Sequence, residues 1–514
     1  MQLICILVIA IAADRVSAQQ PAAQSRKPNV LFILADDIGY GDLSCYGAKL
    51  VQTPNLDRLA SQGCRFTDFH TTASTCTPTR YALITGRYAW RHQPGSSILP
   101  GDAVLSIVPG SQTLPATFGR AGYTTGIVGK WHLGLGERDG IDWNGDIKPG
   151  PLEVGFDYGF YYPATGDRVP CVFVEDHRIV GLDPKDPVKV SYKAKIGNDP
   201  TGQEHPEMLT LKPTHGHDQT IVNGISRIGY MSGGNSARWV DESMCDTLVK
   251  KGVAFIERSK DKPFFLYFAT HDIHVPRVPA ARFRGKSQCG TRGDAIVELD
   301  SAVGDLLATL DRLKIADNTL VIFTSDNGGI MDDGYDDFGS LDHKCNGVLR
   351  GHKGTILEGG NRVPFIIRYP GIVKPATESA ELFAQIDMEA SFAALLGQPL
   401  DKDAAPDSLN ALPAMLGTPH DKPVRESLIM NNGGVQGPFA VRIGNWKLVQ
   451  FAGNATNHAE VFNGIKDLST GPLLFDLATD VSENQNVAAQ HPEKIVELRA
   501  MLRQIQQDGR SRPK

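Results

Sequence analysis

The chain has 514 residues, 41% of them hydrophobic and 21% charged, which excludes the disordered and fibrous classes and describes an ordinary globular enzyme. Its formal net charge of −6 excludes a general nucleic-acid or polyanion-binding surface, so cations serving an anionic ligand have to be concentrated in a pocket. The length suits two or three domains, or one large α/β domain with an appendage.

The N-terminus, MQLICILVIAIAADRVSAQQ, carries an apolar run too short to span a bilayer, followed by the small-residue site Val16-Ser17-Ala18. Residues 1–18 are expected to be a signal peptide, although no basic side chain precedes the apolar run, and the mature chain to be periplasmic or secreted. Cys5 lies inside the run rather than at its end, which disfavours a lipoprotein. No later segment has eighteen uninterrupted apolar residues, so no membrane span is expected. Apart from Cys5 and Cys76, six cysteines remain (Cys45, Cys64, Cys171, Cys245, Cys289 and Cys345), an even number compatible with disulfides in an oxidising compartment.

After a polar leader, Asn29 to Ala35 is a continuous apolar run of strand length ending in Asp36-Asp37. Such runs suit strands buried on both faces of a parallel sheet. Three more follow: Tyr123 to Gly129 before Lys130-Trp131-His132, Phe264 to Ala269 before His271 and His274, and Leu320 to Thr324 before Asp326-Asn327. Helical patterns at Asn55 to Gly63, Thr113 to Ala121, Ser243 to Lys260 and Asp294 to Lys314 alternate with them, which predicts an α/β fold with a large, mainly parallel sheet. Ligands bind beyond the carboxyl ends of such strands, which would gather the four polar clusters into one site. From about 160 to 235 the pattern lapses into a Pro/Gly/His/Asp-rich insertion, of the kind that forms a functional rim. Beyond about 400, the strand-like stretches 441–451 and 472–477 and an amphipathic helix from about Glu493 to Gln507 predict a smaller α+β subdomain over 401–514, leaving 27–400 as the catalytic domain.

Residues 74–87 read STCTPTRYALITGR. Pro78 suits the first turn of a helix, which places Cys76 at the N-terminus of a helix running through Ile84 and closed near Gly86. Free N–H groups and the helix dipole at such an end favour an anion or a depressed thiol pKa. A disulfide-bonded cysteine needs neither.

Asp36, Asp37, Asp326 and Asn327 offer hard oxygen ligands suited to Ca²⁺ or Mg²⁺; taken singly, Asp-Asp and Asp-Asn-Gly are also ordinary turn formers. Arg80, Lys130, His132, His274 and Lys353 supply the cations and proton-transferring groups that a tetrahedral oxyanion requires.

The run Ser74 to Gly86 resembles the full signature of the type I sulfatases, and Gly122 to His132 that family's second signature; the likeness extends from about residue 27 to the C-terminus. The resemblance implies an alkaline-phosphatase-like sandwich and a nucleophile made by oxidation of Cys76 to formylglycine, with Pro78 and Arg80 read by a dedicated maturation system. It further implies, with Ca²⁺ preferred to Mg²⁺, that position 76, Asp36, Asp37, Asp326 and Asn327 are the calcium ligands, and that the metal-ligated hydrated aldehyde, held near Arg80 and Lys130, attacks sulfur to give a covalent sulfo-enzyme. His132 would then take a proton to expel sulfate, His274 would protonate the leaving group, and Lys353 would bind the sulfate. His271 would stand behind these residues.

Asp167 and Arg168 in GDRVP, and His215 and His217 in HGHDQ, are side chains of the kind that hold sugar hydroxyls. These segments and DDGYDD (332–337) are similar to bacterial polysaccharide-degrading sulfatases, among them enzymes removing 6-O-sulfate from galactose or N-acetylgalactosamine. The expected partner is thus a terminal sulfated saccharide. A broad arylsulfatase, a formylglycine-dependent phosphonate or phosphodiester hydrolase, and an inactive sulfated-glycan-binding protein are the alternatives.

Overall fold

The continuous apolar runs become the centre of a ten-stranded sheet. In the computed structural model, which describes residues 27–92, 97–340, 342–432, 434, 437–450 and 471–513, five parallel strands lie side by side in the order Thr319–Ser325, Asn29–Ala35, Phe264–Ala269, Thr124–Lys130 and Tyr158–Tyr162. The expected signal segment 1–18 falls outside the described residues. Phe365–Arg368 pairs antiparallel with Thr319–Ser325 at one side, and the short strands Val174–Glu175 and Arg178–Ile179 continue the sheet at the other.

Both faces are covered, which explains why the central strands are apolar at every position rather than alternating. Val30, Phe32 and Leu34 pack on one side with the helices Leu114–Arg120 and Met388–Leu396; Leu31, Ile33 and Ala35 pack on the other with Pro54–Ser61, Met244–Ser259 and Gly290–Arg312. Thr113 is placed to cap the first of these helices, its hydroxyl accepting the Ala116 N–H at 3.3 Å. Each fully buried Phe or Leu in these layers contributes roughly 1.5–3 kcal/mol from area removed from water.

The register brings the strand ends level. Ala35 lies opposite Ser325, Leu34 opposite Ala269, and Ala269 opposite Gly129, so the residues that follow emerge together at one edge. Gly129 has φ +111°, and a Cβ there would run into the carbonyl oxygen of Ala269. That glycine lets the chain turn Lys130 into the edge while staying hydrogen-bonded to its neighbour.

The smaller C-terminal sheet is antiparallel, in the order Ser427–Asn431, Phe439–Ile443, Trp446–Gln450 and Leu473–Asp476. The stretch expected as one strand over 441–451 is a hairpin: Gly444, at φ +56°, turns the chain between two strands, and residue 451 lies outside the described residues. Helix Pro492–Asp508 buries Leu498, Leu502 and Ile505 against this sheet. The insertion is less irregular than its composition suggests, since Lys189–Ser191 pairs with Tyr230–Ser232 and Ile221–Val222 with Ile225–Ser226.

The even cysteine count, compatible with disulfides, corresponds here to free thiols at all seven described cysteines. Cys171 and Cys289 are fully buried among apolar side chains, where cysteine acts as a small hydrophobic residue. Among the described residues no helix is long and apolar enough to cross a membrane.

Candidate active site

The helix carrying Cys76 runs Cys76–Thr85 and ends at Gly86, whose φ of +60° supplies the left-handed terminating residue. Thr75 precedes it in extended conformation without a side-chain cap, so the first N–H groups are left for another partner. Cys76 is 1% exposed. The expected depression of its thiol pKa is not found. Burial pushes it up, and this outweighs the pull of Lys130 and Lys353, with Asp326 and Asp36 adding to the rise. The residues flanking Cys76 tie it to two distant segments: the Ser74 carbonyl accepts the Gly354 N–H at 2.8 Å, and the Thr77 hydroxyl donates to the His132 carbonyl at 3.1 Å.

The strand ends supply the floor, all of it fully buried. Lys130 Nζ donates to both oxygens of Asp36, at 2.9 and 2.7 Å. Arg80 Nε donates to Asp326 Oδ2 at 2.9 Å, and a terminal nitrogen of the same guanidinium lies 2.8 Å from that oxygen. Asn327 Nδ2 donates to Asp37 Oδ1 at 2.7 Å, while the Asp37 N–H meets Asp326 Oδ1 at 3.3 Å. Asp37 and His132 both hold left-handed φ values, 64° and 56°, which non-glycine residues adopt only under constraint from their surroundings.

Charge is unevenly shared on this floor. Burial drives the Asp36 carboxyl well above its ordinary range against Lys130, with Asp326 and Asp37 adding to the rise. Burial acts the same way on Asp37, but there Lys353 and Lys130 prevail and hold the carboxyl low. Asn327 Oδ1 is buried and has no hydrogen-bond partner among the described residues. Three carboxylates and one unpartnered amide oxygen form a hard-oxygen donor set, and Asp36 and Asp37 offer ligand atoms within 4.8 Å of one another and of His274. Both features fit a divalent cation.

Two histidines flank the floor. His132 Nε2 lies 2.8 Å from the Leu99 carbonyl, which can only accept, so Nε2 carries the hydrogen. Nδ1 is then the lone-pair nitrogen, and it is buried without a partner among the described residues. Burial, then Lys130 and Arg168, hold the ring neutral. In His274 the assignment is reversed: Nδ1 is 2.8 Å from the Val275 carbonyl, which leaves Nε2 facing Asp37 Oδ2 at 3.9 Å and Asp333 Oδ2 at 3.8 Å. Its pKa is also pushed well down, by burial and then Lys353 and Lys130. His271 lies under the Gly166 turn, its Nδ1 buried and without a hydrogen-bond partner among the described residues.

Lys353 reaches the floor from a loop, donating to Asp37 Oδ2 at 2.8 Å and Asp333 Oδ2 at 2.7 Å. Asp333 is absent from the sequence-derived set of site residues. Its only signal was membership of DDGYDD, a composition that reads equally well as an acidic turn.

The insertion forms the outer wall. His217 Nε2 is 2.9 Å from Asp167 Oδ2, and Arg168 donates to both oxygens of Asp167 at 3.1 Å. Burial resists the charge on Asp167, but Arg168, His274 and His217 together hold its carboxyl well down. Asp167 Oδ1 is 4.0 Å from His274 Nδ1, which joins this wall to the floor. The Tyr335 ring lies 4.5 Å from that of His217. His215 is exposed, and its ring bonds to Thr214. The structure therefore gathers Asp36, Asp37, Arg80, Lys130, His274, Asp326, Asn327 and Lys353 through direct contacts, sets Cys76 and His132 beside them through neighbouring residues, attaches Asp167, Arg168 and His217 as a wall, and leaves His215 outermost.

Comparison with known proteins bears on this arrangement. Residues 28–398 match the family model described as Sulfatase. A relative named N-acetylgalactosamine-6-O-sulfatase, from Bacteroides thetaiotaomicron, is 49% identical over 94% of this chain and 93% of its own length. Human arylsulfatase A is 33% identical over 97% and 90%. A solved chain from work on glycosaminoglycan metabolism by Bacteroides thetaiotaomicron superposes with a TM-score of 0.89 at 49% identity, covering 94% of this chain and 99% of that one.

Proposed function

The chain belongs to the sulfatase family and is a sulfuric ester hydrolase, and from that premise we propose that it removes 6-O-sulfate from a terminal galactose or N-acetylgalactosamine, through formylglycine made from Cys76. The observation that carries the proposal is the convergence of Lys130 and Lys353, from separate segments, on the carboxylates beside Cys76. Two ammonium groups are held there beside the carboxylates that would bind a divalent cation, and together with that cation they would meet an anionic ester.

Asp36, Asp37, Asp326 and Asn327 would hold Ca²⁺, which would supply positive charge to polarise the nucleophile and a sulfuryl oxygen. The hydrated aldehyde at position 76 would supply the attacking oxygen. Arg80 and Lys130, locked by Asp326 and Asp36, would keep their charge fixed beside that oxygen at no reorganisation cost. His132 would accept a proton at Nδ1, which has no hydrogen-bond partner among the described residues. The incoming ester anion would engage Lys353 and relieve part of the push that keeps the His274 ring neutral, so that Nε2 takes up a proton from solvent and then delivers it to the departing ester oxygen. Lys353 would bind a sulfuryl oxygen.

Asp167, Arg168 and His217 would meet the hydroxyls of the terminal sugar, with His215 farther out where only a longer substrate reaches. The relative named N-acetylgalactosamine-6-O-sulfatase supports that sugar class. Export, with a maturation system as partner, completes the reading. The test is sulfate release from a panel of sulfated monosaccharides after co-expression with that system. Turnover of nitrophenyl sulfate alone would instead favour an arylsulfatase.

A further inference from the structure

An ammonium group has three N–H donors and no acceptor. In Lys353 two of the three are engaged, by Asp37 Oδ2 at 2.8 Å and Asp333 Oδ2 at 2.7 Å. Two fixed acceptors determine where the third donor points. The acceptors belong to different layers: Asp37 is fully buried at a strand end, whereas the Asp333 side chain is 23% exposed on the outer side of Lys353. Both carboxylates also approach His274 Nε2, at 3.9 and 3.8 Å, so Lys353, His274, Asp37 and Asp333 form a closed ring.

Asp333 is held firmly enough to act as an anchor. On its N-terminal side Asp332 accepts the Thr214 hydroxyl at 2.7 Å, and on its C-terminal side the Tyr335 hydroxyl donates to the Ser226 carbonyl at 2.6 Å. Gly334 follows at φ +110°, where a Cβ would run into the His217 ring. The backbone on the Lys353 side is equally fixed, with the Lys353 N–H on Gly329 at 3.3 Å and the Gly354 N–H on Ser74 at 2.8 Å. Between these fixed points the four-carbon lysine stem has the most rotamer freedom to lose, and the contacts of its ammonium group decide where that group rests.

We propose that Asp333 is a positioning residue for Lys353: together with Asp37 it fixes the ammonium so that its third N–H meets a sulfuryl oxygen, and it makes no contact with the sugar. This rests on the role given to Lys353 under Proposed function. The prediction that follows is independence from the leaving group. A residue that aims Lys353 at the SO₃ group serves every sulfate ester equally, whereas one that touches sugar serves only sugars.

The test compares Asp333→Ala and Asp333→Asn with the wild-type matured protein on nitrophenyl sulfate and 6-O-sulfated N-acetylgalactosamine, with calorimetric binding of inorganic sulfate beside them. Asp333→Ala is expected to lower kcat/KM about tenfold on both substrates and to weaken sulfate binding by a similar factor, the scale of one freed lysine side chain. Asp333→Asn, which keeps an acceptor oxygen, is expected to stay within about threefold of wild type. A loss confined to the sugar substrate, no loss in Asp333→Ala, or an equal loss in Asp333→Asn would overturn the inference. If wild type turns over neither substrate, the proposed function falls, and the sulfate-binding comparison still decides the role of Asp333. Absence of sulfate binding by wild type would overturn both.

Discussion

The floor of the site and its outer wall are built by different means. Asp36, Lys130 and Asp326 stand together because their strands belong to one run of parallel strands in register, so their positions follow from the sheet itself. Asp167, His217 and Tyr335 stand together because two long loops pack on each other and on His274, while Asp333, on the same loop as Tyr335, is bound to Lys353 and acts with the floor. A sheet edge tolerates little displacement, since every strand is held by its neighbours. Loop contacts can be rearranged one at a time, which suits the part of an enzyme that chooses its substrate. The floor should therefore control whether any ester is cleaved, and the wall which ester it is.

The strongest way to break this division is at the floor. Cys76→Ala should abolish turnover of aryl and sugar sulfates alike, by at least about 10⁴-fold, because no other oxygen nucleophile is supplied there. Its thermal midpoint should move by no more than about 3 °C, since one small buried side chain is shortened. Partial activity on either substrate would place the chemistry elsewhere.

Metal removal should act through the same layer. With Asp36, Asp37 and Asp326 left facing one another, chelation is expected to abolish activity and lower the melting temperature by several degrees, about 5 °C, with Ca²⁺ restoring both. Differential scanning fluorimetry with and without chelator reads the outcome. An unchanged melting temperature would mean that the cationic side chains alone satisfy the cluster.

At the wall the effects should be smaller and selective. His217→Ala is expected to lower kcat/KM on 6-O-sulfated N-acetylgalactosamine by about 10–100-fold and leave nitrophenyl sulfate within about twofold, since it removes a directed hydrogen bond and frees Asp167. Equal losses on the two substrates would show that the wall also supports the chemistry. His215→Ala, at an exposed position, should change monosaccharide turnover by less than about twofold.

The wall also has a pH signature. Burial works against the His217 cation, but Asp167 prevails and raises its pKa above 6.5, so the stability this adds is present in full below 6.5 and is lost as pH rises through the raised value. Asp167 is held below 3.8, so its contribution is present above 3.8 and is lost as pH falls through the lowered value. Hydrogen-exchange protection factors, corrected for the intrinsic pH dependence of exchange, should therefore be highest across residues 214–218 between about pH 4 and 6.5, and His217→Gln should flatten their profile. A flat wild-type profile would remove this ion pair from the account.

The same division explains what the sequence disclosed. The floor was legible because the strand signal and the chemical signal adjoin: Asn29 to Ala35 announces a buried strand, and Asp36-Asp37 follows at once. Asp333 was not, since its value depends on a lysine twenty residues on and on a contact between loops, neither of which has a period. The thiol of Cys76 misled for a related reason. A helix N-terminus pulls its pKa down, but complete burial pushes harder, and burial is a property of the whole fold. The cysteine count left the pairing open, because an even number of cysteines is equally compatible with a core that uses them as small apolar fillers.

The most direct test of the central claim is sulfate release from 6-O-sulfated N-acetylgalactosamine by protein co-expressed with the maturation system, in parallel with Cys76→Ala. The account predicts stoichiometric sulfate from the former and none from the latter. Equal release from both, or release by neither while nitrophenyl sulfate is cleaved, would contradict it.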